Sequence, residues 1–358
     1  MADSRSVHYS GSLTDVGSIK VGHFSRTGNG YLTGTTVVLT GQGAVAGVDV
    51  RGGGPGTRET DVLRPENLVQ RVHGIVLTGG SAYGLGAAQG VMDELEDQHV
   101  GYPVGESPHW VVPIVPAAVI FDLGRGGNFS MRPDASFGRR AAKRALSHTD
   151  HVGTVGAGVG ARSGGLRGGL GMASMTLADG VIVSALAVVN SIGSVINPET
   201  ALPWDLNRGR LHKPSAIDRR RLINYLSSLQ QGNKMPASPS LNTTIGVVAT
   251  NQSLTKSECK KFASVAHDGL ARAIRPAHLM NDGDTIFGLS VAQGDLTLEA
   301  RDPAFIDPQG RPAFLNAILA AGAQVFSRAC TEAVLTATST KSQPCYRELC
   351  PTAFRDMP

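Results

Sequence analysis

A Pro- and Ser-rich stretch, Met235-Pro236-Ala237-Ser238-Pro239-Ser240, runs straight into Leu241-Asn242-Thr243-Thr244-Ile245-Gly246-Val247-Val248-Ala249-Thr250-Asn251. The β-branched run reads as a strand whose first residues are threonines. A threonine hydroxyl is a poor nucleophile without a base close by. If the chain is cut just before Thr243, the freed α-amino group, with a pKa of roughly 8, is that base within the same residue. A loop followed by an ordinary strand accounts for the stretch equally simply. Thr243 as nucleophile and the Asn242–Thr243 bond as cleavage site are therefore the first candidates for chemistry.

Little else in the chain has the spacing of a site. Cys259, Cys330, Cys345 and Cys350 form no CxxC pair, and the gap between the last two is not a zinc signature. They read as reduced thiols, and a cytoplasmic location is expected. His23, His267 and His278 lack metal-ligand spacing and are expected to serve structure. No GxxxxGK[ST] is present, and neither Gly156–Gly160 nor Gly164–Gly169 gives strand, GxGxxG, helix and a following acidic residue. No cofactor and no metal are expected. The 33 Lys+Arg and 29 Asp+Glu leave a net charge of +4, with no basic run interleaved with aromatics, so nucleic-acid binding is not expected. Met1 to Ser12 is polar and reads as a flexible tail. No run of 18 or more apolar residues suggests a membrane span.

The elements that must position Thr243 follow from periodicity and turn signals. Strands are expected at 35–39 and 44–50 around a Gly41-Gln42-Gly43 turn, at 74–78, and at 285–291. Segments 170–177 and 181–189 flank Ala178-Asp179-Gly180, which predicts a hairpin with a type I′ turn and places Asn190 at its far end. Pro113 and Pro116 argue against a regular central strand over 111–123. Helices are expected at 83–95, 137–146, 217–229, 254–274 and 314–335, the last buried because it carries few charges. Hairpin-linked strands with long helices before and after predict stacked antiparallel sheets covered by helices, a layered α+β domain. The 45 glycines and 5% aromatic content suit close approach of these layers.

Several segments together resemble the DmpA-type peptidase family, which contains β-peptidyl aminopeptidases and the nylon-oligomer endo-hydrolase. They are Asn242–Ala249, Thr14-Asp15-Val16 with Val21-Gly22-His23, Arg51–Thr60, Leu77–Leu85, Val115–Leu123 and Asp282-Gly283-Asp284. The resemblance covers about residues 13 to 356. It implies a four-layer αββα sandwich, with 13–358 as one domain cut into associated chains 1–242 and 243–358. It also implies a homo-oligomer of processed heterodimers acting on a small amide or peptide substrate without a required metal.

By the same resemblance, Thr243 attacks the Asn242 carbonyl and later the substrate amide. Asn190 matches a strand-end asparagine whose NH₂ donates to the oxyanion; capping of a hairpin end is its plain alternative. Asp282 and Asp284 match positions that contact the nucleophile, although their composition also permits a simple turn. Arg167 stands where the family usually carries Lys, keeping the charge but not the ability to become neutral; a surface-loop arginine is the alternative. Tyr83 and Phe121 are candidates for the pocket wall only. Two rival functions remain: an acyltransferase of the ornithine acetyltransferase type, and an uncleaved, inactive homologue that binds a small ligand.

Overall fold

The computed structural model of the protein describes residues 11–205, 211–232, 241–292 and 310–354. The eight longer strands are β1 (Lys20–Gly28), β2 (Tyr31–Val50), β3 (Arg71–Thr78), β4 (Ala117–Val119), β5 (Gly169–Thr176), β6 (Ile182–Asn190), β7 (Thr243–Thr250) and β8 (Thr285–Ser290). The main helices are α1 (Ala87–Asp97), α2 (Ala135–Lys143), α3 (Ala216–Gly232), α4 (Lys256–Ala273) and α5 (Gly310–Leu335).

One hydrogen-bonded path runs β5-β6-β7-β8-β2-β3-β4 and ends on the two-residue strand Thr57–Arg58; β1 pairs with the first half of β2. Side-chain alternation divides this path into two stacked sheets. Ile245, Val247 and Ala249 of β7 join Leu186 and Val188 of β6 in a core shared with Val38, Ile75 and Leu77 of β2 and β3. Val248 points the other way, toward Phe262 of α4 and Phe326 and Ala329 of α5. Val37, Leu39 and Val76 point outward on the second sheet, toward Val91 of α1 and Phe137 of α2. Three apolar layers between four layers of structure make the αββα sandwich that the sequence implies. Each fully buried aliphatic or aromatic side chain contributes about 1.5–3 kcal/mol, so the sandwich rests on these three layers.

Glycine permits the closest contacts. A Cβ on Gly171 of β5 would stand 2.0 Å from the Ala329 carbonyl of α5. Helix starts follow side-chain chemistry: Asp134 caps α2, and Thr255 with Glu258 forms a capping box on α4. Helix α5 is long and apolar enough to cross a membrane by composition. Here its apolar residues pack on β5, β6 and α4.

Four local expectations are corrected. Gly41-Gln42-Gly43 is not a turn between strands. Residues 31–50 form one strand of 20 residues, and the glycines fall in the register shift between Leu39 and Ala44. The 178–180 connection is a single turn of 3-10 helix rather than a type I′ turn, because only Gly180 has positive φ where type I′ needs two such residues. The helix expected over 83–95 is divided into Ser81–Gly84 and Ala87–Asp97. Most of the tail, residues 1–10, lies outside the described residues. Ser12 is not loose: it is buried and caps the short 3-10 helix Leu13–Val16. The four cysteines are buried thiols.

Candidate active site

Thr243 is the first residue of β7, and Asn190, the last residue of β6, lies directly across the antiparallel ladder from it. Side chains of such a pair share a face. The other flank is the turn before β8, where Asn242 bridges to Asp282. The Asn242 amide donates to the Asn281 carbonyl at 3.1 Å, and the Gly283 amide donates to the Asn242 carbonyl at 3.0 Å. The Thr243 hydroxyl closely approaches the same carbonyl oxygen as donor. The Asn242 carbonyl thus takes two hydrogen bonds, one of them from the hydroxyl of the next residue.

Asp284 accepts the Thr244 amide on Oδ1 at 2.7 Å. Its Oδ2 faces His278 Nδ1 at 2.8 Å and takes the His278 amide at 3.2 Å. Asp282 Oδ2 accepts the Leu279 amide at 3.0 Å, whereas its Oδ1 is buried without a partner. Burial, with Asp284 as the second cause, pushes the Asp282 carboxyl above its usual range. Close approach of the 51–58 loop positions this turn: a Cβ on Gly52 would meet the Asp282 carbonyl and the Asp284 amide, both at 2.3 Å. Thr243, Asn190, Asp282 and Asp284 are all at most 5% exposed.

On the Asn190 flank the surroundings are cationic. Asn190 Oδ1 accepts from Arg125 Nη1 at 2.5 Å and from the Arg162 amide at 3.2 Å, and its Nδ2 lies 3.4 Å from the Phe121 carbonyl. The carboxamide is therefore held oxygen-first toward the arginines, with its NH₂ donating one N–H to the Phe121 carbonyl and keeping the other for a further acceptor. Burial first, then Arg162, lowers the Arg125 guanidinium to about 9. Asp122 lies beside Arg125, and burial raises its carboxyl to about 6.

Arg167 belongs behind this flank. It is wholly buried, correcting the surface-loop alternative. Its guanidinium donates to the Val159 and Thr338 carbonyls, and burial lowers it to about 10. None of these bonds reaches Thr243; Arg167 pairs across a short hairpin with Arg162. Tyr83 is exposed, under the Arg132 guanidinium. Three features here carry no sequence signal of their own: the Gly283 amide, Arg125 and His278. Among the described residues, no group of three or more His, Cys, Asp or Glu could hold a metal ion.

The family model for peptidase family S58 matches residues 11–345. The chain belongs to that family. An uncharacterized aminopeptidase of Mycobacterium tuberculosis is 47% identical to this S58 chain over 352 residues, 96% of this chain and 99% of the relative. A 6-aminohexanoate-oligomer endohydrolase of Paenarthrobacter ureafaciens is 29% identical over 270 residues, 74% and 71% of the two chains. Among solved structures, a Burkholderia sp. beta-aminopeptidase superposes with a TM-score of 0.65 at 21% identity, covering 98% of this chain and 95% of that one. The L-aminopeptidase D-Ala-esterase/amidase of Ochrobactrum anthropi, described as a variant of the Ntn hydrolase fold, gives 0.65 at 19% identity over 93% and 89%. The S58 chain is a hydrolase of peptide or amide bonds on that fold.

Proposed function

We propose that Thr243 is the nucleophile of an N-terminal threonine hydrolase, and that its first substrate is the chain's own Asn242–Thr243 bond. The observation that supports this is the Asn242 carbonyl held between the Thr243 hydroxyl and the Gly283 amide. Thr243 Oγ attacks the Asn242 carbonyl carbon, and the Gly283 amide stabilises the oxyanion. The carbon–nitrogen bond breaks, and the departing nitrogen takes the hydroxyl proton. This leaves Asn242 as an ester on Thr243. Water then hydrolyses the ester, freeing the Asn242 carboxylate, the Thr243 hydroxyl and its α-amine.

In the processed protein the amine takes the hydroxyl proton as Oγ attacks a substrate amide. Departure of Asn242 frees the Gly283 amide, which with the Asn190 NH₂ forms the pair of donors for the substrate oxyanion. Asp282 and Asp284 hold the strand start and offset the ammonium once the amine is protonated. The working unit on this reading is a homo-oligomer of processed heterodimers in the cytoplasm. Intact mass and a denaturing gel of purified protein test it. Fragments of about 25 and about 12 kDa are expected, in proportion to the 37.3 kDa of the whole chain. A stable single band would remove self-cleavage.

A further inference from the structure

The Asn190 carboxamide has two ends of opposite polarity, and only its NH₂ can serve an oxyanion. Its neighbours decide which way it turns, and each of them has a fixed polarity. Arg125 Nη1, 2.5 Å from Oδ1, can only donate, because a guanidinium has no acceptor. The Arg162 amide, 3.2 Å from the same oxygen, can also only donate. The Phe121 carbonyl, 3.4 Å from Nδ2, can only accept. Turning the carboxamide over would set its NH₂ against two donors and its oxygen against a carbonyl. One orientation is therefore built in, and it keeps one N–H of Asn190 for the oxyanion.

Of the two donors on Oδ1, the one supplied by a side chain is Arg125, and that side chain is itself fixed. It stands on a tight turn in which the Gly127 amide donates to the Gly124 carbonyl at 2.9 Å. The turn lies flush on the start of β2, since a Cβ on Gly126 would stand 2.3 Å from the Tyr31 backbone. Arg125 Nη1 also donates to the Gly160 carbonyl at 2.6 Å. The charge of Asp122 acts on the guanidinium, and Asp122 Oδ1 is anchored by the Gly80 amide at 2.7 Å. A charged donor on the carboxamide oxygen gives a stronger bond than a neutral one, and it polarises the group so that its N–H donates more strongly in turn. Arg125 and Asn242 also border one cavity of about 940 Å³, so direct contact of Arg125 with substrate is the alternative to be tested.

We infer that Arg125 is a positioning residue of the hydrolytic reaction, acting through Asn190: it holds the carboxamide with its NH₂ toward the developing oxyanion and strengthens that donor. This rests on Thr243 as nucleophile and Asn190 as oxyanion donor. The effect belongs to turnover more than to self-cleavage, because the Asn242 carbonyl already takes the Gly283 amide in the uncut chain.

A double-mutant cycle on processed protein tests it, with β-alanyl p-nitroanilide as the probe. Arg125→Met should lower kcat by about thirtyfold and change KM by less than about threefold, since the lost interaction strengthens only as charge develops. Arg125→Lys should recover part of kcat, because an ammonium still donates without the planar fork. In the Asn190→Ala background Arg125→Met should cost less than about threefold more, since no carboxamide is left to orient. The same cycle with Arg125→Lys serves if Arg125→Met does not fold. Equal losses in both backgrounds would mean that Arg125 acts on the substrate or the fold directly and would overturn the inference. A kcat for Arg125→Met within about threefold of the unsubstituted protein would overturn it too. Either result, with the unsubstituted protein cut and active, leaves Thr243 as the nucleophile. An unsubstituted protein that neither cuts itself nor turns over the anilide removes the threonine reading and this inference with it.

Discussion

Thr243 sits between two flanks of opposite charge. On the β8 side, Asp282 and Asp284 are held by backbone amides and by His278. On the β6 side, the Arg125 guanidinium and the Arg162 amide hold the carboxamide oxygen of Asn190, with Arg167 buried behind them. Both flanks are buried and both keep orphaned polar atoms, Asp282 Oδ1 on one and Arg162 Nε and Arg167 Nη1 on the other. Elsewhere the same strand is dry: Ile245 to Ala249 only fill the apolar layers on either face. Burial therefore does not distinguish the site from the core. Unmatched charge does, and its sign separates a side suited to an ammonium from a side suited to an oxyanion.

Removing the centre tests the contrast most severely. Thr243→Ala should abolish both cleavage and hydrolysis, read as a single band and no anilide turnover, while Thr243→Ser should keep some of each. If Thr243→Ala still cuts itself, the flanks serve another residue. Next comes the cationic side. Asn190→Ala should lower kcat of processed protein by about a hundredfold or more, with a smaller change in KM, because its bond strengthens as charge develops. A near-normal kcat would reduce Asn190 to a strand-end cap.

The acidic side should act earlier, on processing. Asp284→Asn gives up one of two charged acceptors, leaving a buried donor unmet, and should slow self-cleavage by about tenfold or more in a time course. Asp282→Asn should slow it less, since one of its oxygens bonds nothing. Normal processing in both would make Asp282-Gly283-Asp284 a turn and no more.

The smallest effect is on stability and not on cleavage or turnover. Burial lowers His23, His73 and His267 to about 4 each. His73 Nδ1, for instance, accepts the Ile114 amide, which needs a neutral ring. Unfolding lets these rings take protons at their ordinary value near 6.5, so stability present at neutral pH falls as pH drops from about 6.5 toward 4. Each net proton is worth about 1.4 kcal/mol per pH unit. Asp122, raised to about 6, acts in the opposite sense below that pH and partly offsets the histidines. Urea midpoints should therefore drop as pH falls below 6.5, most steeply between about pH 6 and 5, and a profile flat from pH 7 to 5 would contradict the burial of neutral rings.

Strand and helix positions were legible because alternation and caps are local. The sandwich came from the resemblance together with the layered α+β pattern. Long-range register was not legible: nothing near Gly41 announces that residues 31–50 continue as one strand, because its partners on β3 and β8 decide that. Thr243, Asn190, Asp282 and Asp284 were nameable and do converge. Their supports were not, since the Gly283 amide has no side chain to read and Arg125 reaches Asn190 across 65 residues. The sequence shows the charge of Arg167 and not its depth, because a Gly-rich context resembles a surface loop.

Strands β7 and β8 follow the proposed cut in sequence, yet they lie in the sheet between β6 and β2, which precede it. Eight paired positions join β7 to β6, and six join β8 to β2. Neither product would be a module: one would own the middle of a sheet and the other its wings. Asn190 and Thr243 would meet only after that middle has been inserted. The cut would then be a record that assembly happened, and an uncut molecule in a cell extract would mark a chain whose sheet never closed.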